Sequence, residues 1–130
     1  AFTVVNTVDD TTVLADPVRI GQVLRNLLGN AVKYTPPGTP VELRARPADA
    51  PGWVRVEVAD QGDGIHPDDL DRIFDKFGRG RRSSSGWIAG TGLGLYLSRR
   101  IVYLHGSDLT VTTTTGAGAT FGFDLEITTN

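Results

Sequence analysis

The sequence predicts an α+β fold: a two-layer α/β sandwich in which a mixed, mostly antiparallel sheet of about five strands is covered on one face by about three helices. Segments with alternating apolar and polar residues cluster in the middle and at the end of the chain, as half-buried strands do. Two longer segments repeat apolar residues at helical spacing and fall irregularly between the strands. With 130 residues, 39% apolar and 22% charged, the chain has the composition of a single domain spanning residues 1–130.

The first third of the chain predicts two strands and a long helix. Residues 2–8 are rich in β-branched side chains and predict a strand, and residues 12–15 predict another short one. Asp16 and Pro17 supply an N-cap and a first-turn proline, so a helix should begin here and end near Tyr34. An apolar stripe along this helix faces the core. The stripe consists of Ile20, Val23, Leu24, Leu27, Leu28 and Ala31.

The rest of the chain predicts two hairpins and two further helices. Their bounds, in order, are strands 41–46 and 53–58, a short helix 67–74, a helix from about Gly92 to His105, and strands 109–113 and 120–125. Gly106 supplies a stop for the second long helix. The glycine-rich residues 116–118 supply the turn of the closing hairpin.

The composition excludes several classes of function. The chain has no Cys, which excludes disulfides and thiolate metal sites, and its two histidines, His66 and His105, lack metal-ligand spacing. A net charge of −2 predicts no general affinity for nucleic acid. No apolar run approaches the ~18 residues of a membrane span. Because the chain begins Ala1-Phe2 and contains no Met, we expect it to be a piece of a larger protein.

Glycines are concentrated in one stretch of the chain. Eight of the sixteen lie between Gly62 and Gly94, and a cluster of basic residues lies among them. The basic residues are Lys76, Arg79, Arg81 and Arg82. A loop this long is usually either a functional lid or a disordered linker. Since neither half of the chain is long enough to form a domain alone, we expect a mobile lid over about residues 75–91.

The polar side of the first long helix carries two asparagines. Gln22, Asn26, Asn30 and Lys33 share this side, opposite the apolar stripe. Polar helix faces are normally just solvated, but such faces are usually charged, and asparagine is a poor helix former. Amide oxygens can hold a hard cation such as Mg²⁺, and a nearby lysine can neutralise phosphate. The face therefore predicts either an ordinary wet surface or a site for metal and phosphate.

Two glycine motifs flank the predicted lid. Asp60-x-Gly62-x-Gly64 indicates either a tight turn or a pocket in which the carboxylate accepts a hydrogen bond from the exocyclic amine of a flat ligand. Gly90-x-Gly92-x-Gly94 leads into a helix, an arrangement typical of phosphate sites. It is not a Walker loop, which needs Gly-Lys-Ser/Thr. Neither motif is a dinucleotide fingerprint, since residue 67 is Pro where a third glycine would stand and no strand precedes Gly90.

Taken in this order, the three motifs resemble the Bergerat-type nucleotide-binding fold shared by gyrase, the large ATP-driven heat-shock chaperones, mismatch-repair MutL and the sensor histidine kinases. The whole chain looks like the catalytic ATP-binding domain of a bacterial two-component sensor histidine kinase. The matching segments are residues 22–35 for the asparagine box, 60–65 for the first glycine box, 74–79 for the phenylalanine box, 90–95 for the second glycine box and 116–121 for the terminal glycine-rich turn.

The resemblance implies ATP and Mg²⁺ as cofactors, with Asn30 and Asn26 as metal ligands and Asp60 as the acceptor for the adenine amino group. It also implies that Lys33 contacts phosphate, that Tyr34 lies against adenine, that Phe74 and Phe77 anchor the lid, and that Arg79 sits near the γ-phosphate. The implied catalytic residues are Asn26, Asn30, Lys33 and Arg79. The implied nucleotide-binding residues are Asn30, Lys33, Tyr34, Asp60, Gly62, Gly64, Ile65, Phe74, Phe77, Thr91, Gly92, Leu93, Gly94, Leu95 and Thr120.

The function that this resemblance implies is transfer of the γ-phosphoryl group to a histidine on a separate dimerisation domain of the parent protein, for relay to a cognate response regulator. The amide of Asn26 cannot take a proton at neutral pH, which disfavours a dedicated ATPase. His105 ends a helix, where a helix-dipole or capping role is expected instead of phosphate acceptance.

Two alternatives stay open at this point: an anti-sigma-factor type serine kinase of the same fold, and a structural fragment that binds nothing. On the preferred interpretation we expect a monomeric cytoplasmic domain, cut from a homodimeric parent in the bacterial inner membrane.

Overall fold

The fold is described from a computed structural model of the chain, which covers residues 2–8, 11–33, 35–36, 38–62, 64–65, 70, 73–74, 94–114 and 116–128. Seven elements lie within these ranges. They are, in order, β1 (Phe2–Asn6), α1 (Pro17–Lys33), β2 (Val41–Pro47), β3 (Trp53–Ala59), α2 (Gly94–Leu104), β4 (Thr110–Thr114) and β5 (Gly118–Glu126).

All five strands join one sheet in the order β1-β2-β3-β5-β4. β1 runs parallel to β2, whereas the other three pairs are antiparallel. The two predicted hairpins are therefore confirmed, as is the mixed and mostly antiparallel sheet. Each hairpin turn uses glycine at positive φ, Gly52 at 86° in the first and Gly116 at 81° in the second, where residues with a Cβ are strained.

Both helices pack on the same face of the sheet. Val23 and Leu27 of α1 and Val102 of α2 share one buried cluster with Phe121 and Phe123 of β5. The predicted stripe of α1 is confirmed, since four of its six residues are buried and the other two pack against that cluster. The opposite face of the sheet is polar and charged, which explains why helices cover one face only.

That polar face is organised around Glu57, whose side chain is 12% exposed. Three guanidinium groups lie near its carboxylate: Arg46 at 3.3 Å, Arg55 at 3.6 Å and Arg44 at 3.9 Å. Outward-facing side chains on neighbouring strands lie close enough to pair in this way. The network belongs to the layer away from the helices.

Two predicted boundaries need correction, and a further predicted element lies mostly outside the described residues. Residues 12–15 do not form a strand: Val13 makes one isolated bridge to Ile127, because the chain turns into α1 at Asp16 before a ladder can extend. The first strand ends at Asn6 and not at residue 8, since the Asn6 side chain accepts a hydrogen bond from Val8 N at 2.9 Å and closes a turn. The predicted short helix 67–74 lies mostly outside the described residues, as do the residues just before Gly94, so α2 is described from Gly94.

The start of α1 and the end of α2 are joined through His105. Asp16 caps α1 by accepting hydrogen bonds from Val18 N at 3.0 Å and Arg19 N at 3.2 Å, as predicted. Its own N–H donates to Nε2 of His105 at 3.0 Å, and Nδ1 of that ring contacts the Ile101 carbonyl at 2.8 Å. Because Nε2 accepts, Nδ1 carries the proton. The capping role predicted for His105 is thereby confirmed.

Candidate functional site

Asp60 lies directly after β3, and its carboxylate is oriented by the backbone. Its N–H donates to the Ala119 carbonyl at 2.9 Å, which extends the pairing of β3 with β5 by one residue. Oδ1 accepts hydrogen bonds from Gly62 N at 2.9 Å and from Ala119 N at 3.3 Å. Within the described part of the chain no donor reaches Oδ2. One oxygen of this half-buried carboxylate is therefore held by two backbone N–H groups, and the other makes no hydrogen bond to the residues described.

Gly118 lets the start of β5 approach this segment closely. Its φ is +94°, and a Cβ placed on it would overlap the Asp60 carbonyl oxygen and lie 2.9 Å from Gln61 Cα. Ordinary contacts between carbon atoms are about 3.5–4.0 Å. Only glycine fits both the conformation and the space here.

The loop of residues 60–65, which contains the first glycine motif, is tied to the closing hairpin at its far end as well. Ile65 N donates to Oγ1 of Thr113 at 2.9 Å, and that hydroxyl donates in turn to the Gly118 carbonyl at 3.2 Å. Ile65 itself is 3% exposed and belongs to the core. Thr113 was absent from the predicted site. The available signal was a polar residue on the inward side of β4, two positions after Val111.

The asparagine face of α1 meets the beginning of α2. Asn26 Nδ2 donates to Oγ of Ser98 at 3.1 Å and contacts the Gly94 carbonyl at 3.5 Å. Ser98 is fully buried, and it is the one buried polar residue among those the structure describes. Asn30, one turn further along α1, is half-buried. The structure thus brings the amide motif and the end of the second glycine motif together, although sequence reasoning had not singled out Ser98.

Phe74 and Leu95 attach neighbouring parts of the site to the core. Leu95 is buried in α2. The Phe74 ring packs edge-on against Phe121 with centroids 6.3 Å apart, and the Arg99 guanidinium lies 4.8 Å from its centroid. These contacts attach Phe74 to the core, and the lid that it is predicted to anchor lies outside the described residues.

Thr120 is not brought to the other predicted site residues. Side chains alternate along β5, and the core residues Phe121 and Phe123 face the helices. Ala119 shares their face, whereas Thr120 pairs with Thr112 on the opposite one. Of the remaining predicted residues, Lys33 is described only in its backbone. Outside the described residues lie Tyr34, Phe77, Arg79, Thr91, Gly92, Leu93 and the predicted lid at 75–91.

The fold and the site together define an ATPase-type domain. The family described as histidine kinase-, DNA gyrase B- and HSP90-like ATPase matches residues 15–129, so the chain belongs to this family. Within it, the curated and structural relatives are sensor histidine kinases.

Three of these relatives show how close the likeness is. The chain is 43% identical to the virulence sensor protein BvgS of Bordetella bronchiseptica over 123 residues. This match covers 93% of the chain and 10% of BvgS. The mycobacterial sensor histidine kinase MprB superposes with a TM-score of 0.79 and 32% identity, covering 97% of this chain and 80% of that one. Full-length ShkA in complex with AMPPNP gives a TM-score of 0.83 at 36% identity, covering 99% of this chain and 26% of that one.

The chain spans about a tenth of the length of BvgS. No helix in the described ranges is long and apolar enough to cross a membrane.

Proposed function

We propose that the chain binds Mg²⁺-ATP and donates the γ-phosphoryl group to a histidine on a separate dimerisation domain of its parent, for relay to a response regulator. The observation that carries the proposal is the orientation of Asp60. Because Oδ1 is occupied by two backbone N–H groups, Oδ2 would be the oxygen that accepts a hydrogen bond from an amino group. Adenine carries such a group at C6, whereas hypoxanthine and guanine carry a carbonyl oxygen there.

The phosphates and the metal would lie at the meeting of α1 and α2. Helix N-termini favour anions, and α2 begins near Gly94, which contacts Asn26. The amides fit Mg²⁺, since it takes one or two neutral or charged oxygens from a protein and keeps the rest for phosphate and water. The amino group of Asn26 is already bonded to Ser98, which leaves its Oδ1 as the available atom. When bound, Mg²⁺ would neutralise charge that develops on the phosphates during transfer.

Kinase chemistry is favoured over hydrolysis by Asn26. Hydrolysis requires a group that takes a proton from water, and an amide does not do so at neutral pH. Phosphoryl transfer to histidine needs no proton acceptor at Asn26, because the attacking imidazole nitrogen already carries a lone pair. ADP is the leaving group.

The acceptor histidine would come from outside this chain. Both ring nitrogens of His105 are engaged, one by Ile101 and the other by Asp16. A phosphoryl group could reach neither without breaking the junction between the helices. His66 lies outside the described residues. The parent would then be a homodimeric sensor kinase of the inner membrane, with this domain in the cytoplasm. The support for this proposal is the similarity of the chain to sensor proteins such as BvgS.

The test is to mix the chain with the separately produced histidine-bearing domain of its parent and γ-labelled ATP. Label should appear on that domain only when both proteins and Mg²⁺ are present. Asn30→Ala should abolish both Mg²⁺-dependent ATP binding and labelling while the circular dichroism spectrum is unchanged. Arg25→Ala, on an exposed position of α1, is the matched control and should transfer normally. ATP binding by the Asn30 variant equal to that of the unmodified chain would refute the metal site.

A further inference from the structure

We propose that Thr113 is a positioning residue that sets the place of the adenine-recognising loop, residues 60–65. This inference rests on the proposed function, because it assumes that the loop reads adenine. Thr113 belongs to none of the motifs from which the site was predicted. It lies on the inward face of β4, directly opposite Ala119 of β5.

The Thr113 hydroxyl joins two backbone groups that are far apart in sequence. It accepts from Ile65 N at 2.9 Å, across 48 residues, and donates to the Gly118 carbonyl at 3.2 Å. A hydroxyl is one of the few side-chain groups that can donate and accept at once. Both bonds are partly buried, so neither backbone group is readily satisfied by water if the hydroxyl is lost.

Both ends of the loop are held by the same hairpin. At one end, Asp60 is bonded to Ala119 through its N–H and through Oδ1. At the other end, Ile65 is bonded to Thr113. Between these two anchors lie Gly62, whose N–H donates to Asp60 Oδ1, and Gly64, whose φ of 78° favours glycine. The β4–β5 hairpin therefore acts as a clamp on the loop, and Thr113 is the side chain that closes it.

Loss of the hydroxyl should loosen the loop without unfolding the domain. Ile65 remains buried by its apolar side chain, which is independent of the hydrogen bond. The affected property is the precision with which Oδ2 of Asp60 would face the base. Selection between a 6-amino and a 6-keto purine depends on that placement, whereas phosphate contacts at α1 and α2 do not.

The experiment compares Thr113→Val, which keeps the shape and removes the hydroxyl, with Thr113→Ser, which keeps the hydroxyl. Thr112→Val is the matched control, since Thr112 is exposed on the other face of the same strand. Affinities for ATP and for ITP are measured by calorimetry. Exchange of the Ile65 amide is followed by nuclear magnetic resonance.

In Thr113→Val we expect ATP affinity to fall about tenfold with ITP affinity unchanged, a loss on the scale of one hydrogen bond. Exchange of the Ile65 amide should accelerate in the same variant. Both properties should stay near those of the unmodified chain in Thr113→Ser and Thr112→Val. If the ratio of ATP affinity to ITP affinity is unchanged in folded Thr113→Val, the proposal is overturned. This holds whether both affinities stay the same or fall by the same factor.

The amide measurement separates this inference from the proposed function. If the unmodified chain binds no ATP, the proposed function fails, and the clamp is still judged by whether the Ile65 amide loses its protection. If ATP binds and the amide exchanges equally slowly with and without the hydroxyl, the clamp is wrong and the proposed function stands.

Discussion

Replacement of Gly118 by Ala tests the close approach between β5 and residues 60–61, on which the proposed base-binding end of the site depends. The new Cβ would overlap the Asp60 carbonyl oxygen and come within 2.9 Å of Gln61 Cα. Both neighbours are backbone atoms, so no side chain can rotate away. The strand and the loop would have to separate, and this would stretch the Asp60–Ala119 hydrogen bonds of 2.9 and 3.3 Å.

Gly116→Ala is the matched control for the loss of stability expected in Gly118→Ala. Gly116 has a similar φ of +81°, but a Cβ there meets nothing within 4 Å. Both variants carry the left-handed strain of about 1–2 kcal/mol, partly offset by lower entropy of the unfolded chain. Gly118→Ala also loses two hydrogen bonds of about 1 kcal/mol each. We therefore expect it to be less stable than Gly116→Ala by at least about 2 kcal/mol.

The assay is urea unfolding of both variants followed by far-ultraviolet circular dichroism, with calorimetric titration of ATP on the folded protein. The free energy of unfolding should fall further in Gly118→Ala, and its ATP affinity should fall with it. If the two variants unfold within about 0.5 kcal/mol of each other, an amount typical of neutral surface changes, the close approach does not have the energetic role assigned to it.

Three further substitutions test other parts of the site. In Asp60→Asn the amide oxygen should stay with the two backbone donors, so the new side-chain amino group should face the base. Calorimetry should then show that the preference for ATP over ITP is lost or reversed, and an unchanged preference would contradict this. Ser98→Ala should lower the free energy of unfolding by about 1–2 kcal/mol and weaken Mg²⁺-dependent ATP binding, because Asn26 loses its buried partner. A melting temperature and an ATP affinity like those of the unmodified chain would count against this prediction. Gly29→Ala should raise the free energy of unfolding by about 0.5–1 kcal/mol, because alanine favours the helix and its Cβ would meet no atom within 4 Å. ATP affinity should be unchanged, and destabilisation in chemical denaturation would show the prediction to be wrong.

The sequence predicted the parts of the fold that follow local rules. The stripe of α1 and its cap at Asp16 depend on spacing and residue type within one element, and both are present. Thr120 shows where a local rule was available and was not applied. Phe121 and Phe123 are core residues, so strand alternation alone directs Thr120 to the polar face.

Thr113 and Ser98 could not be predicted in the same way. Their roles come from hydrogen bonds across 48 and 72 residues. Alternation with Val111 indicates that Thr113 faces inward, but nothing in the local sequence shows which distant group it or Ser98 will meet. Residues 110–115 alone contain five threonines. Only the strand register and the helix crossing single out the two residues that contact the site.

Two separate clamps hold the two parts of the proposed site, and among the described residues they have none in common. One is the β4–β5 hairpin, which holds the loop around Asp60 through Thr113 and Ala119. The other is the contact between α1 and α2, which is bonded between Asn26 and Ser98 and again between Asp16 and His105. A nucleotide with its base at the first clamp and its phosphates at the second would connect the two, so its binding energy depends on their spacing as well as on each contact. Loosening either clamp should therefore weaken ATP binding through a different part of the ligand: the hairpin through base selection, and the helix contact through the dependence on Mg²⁺.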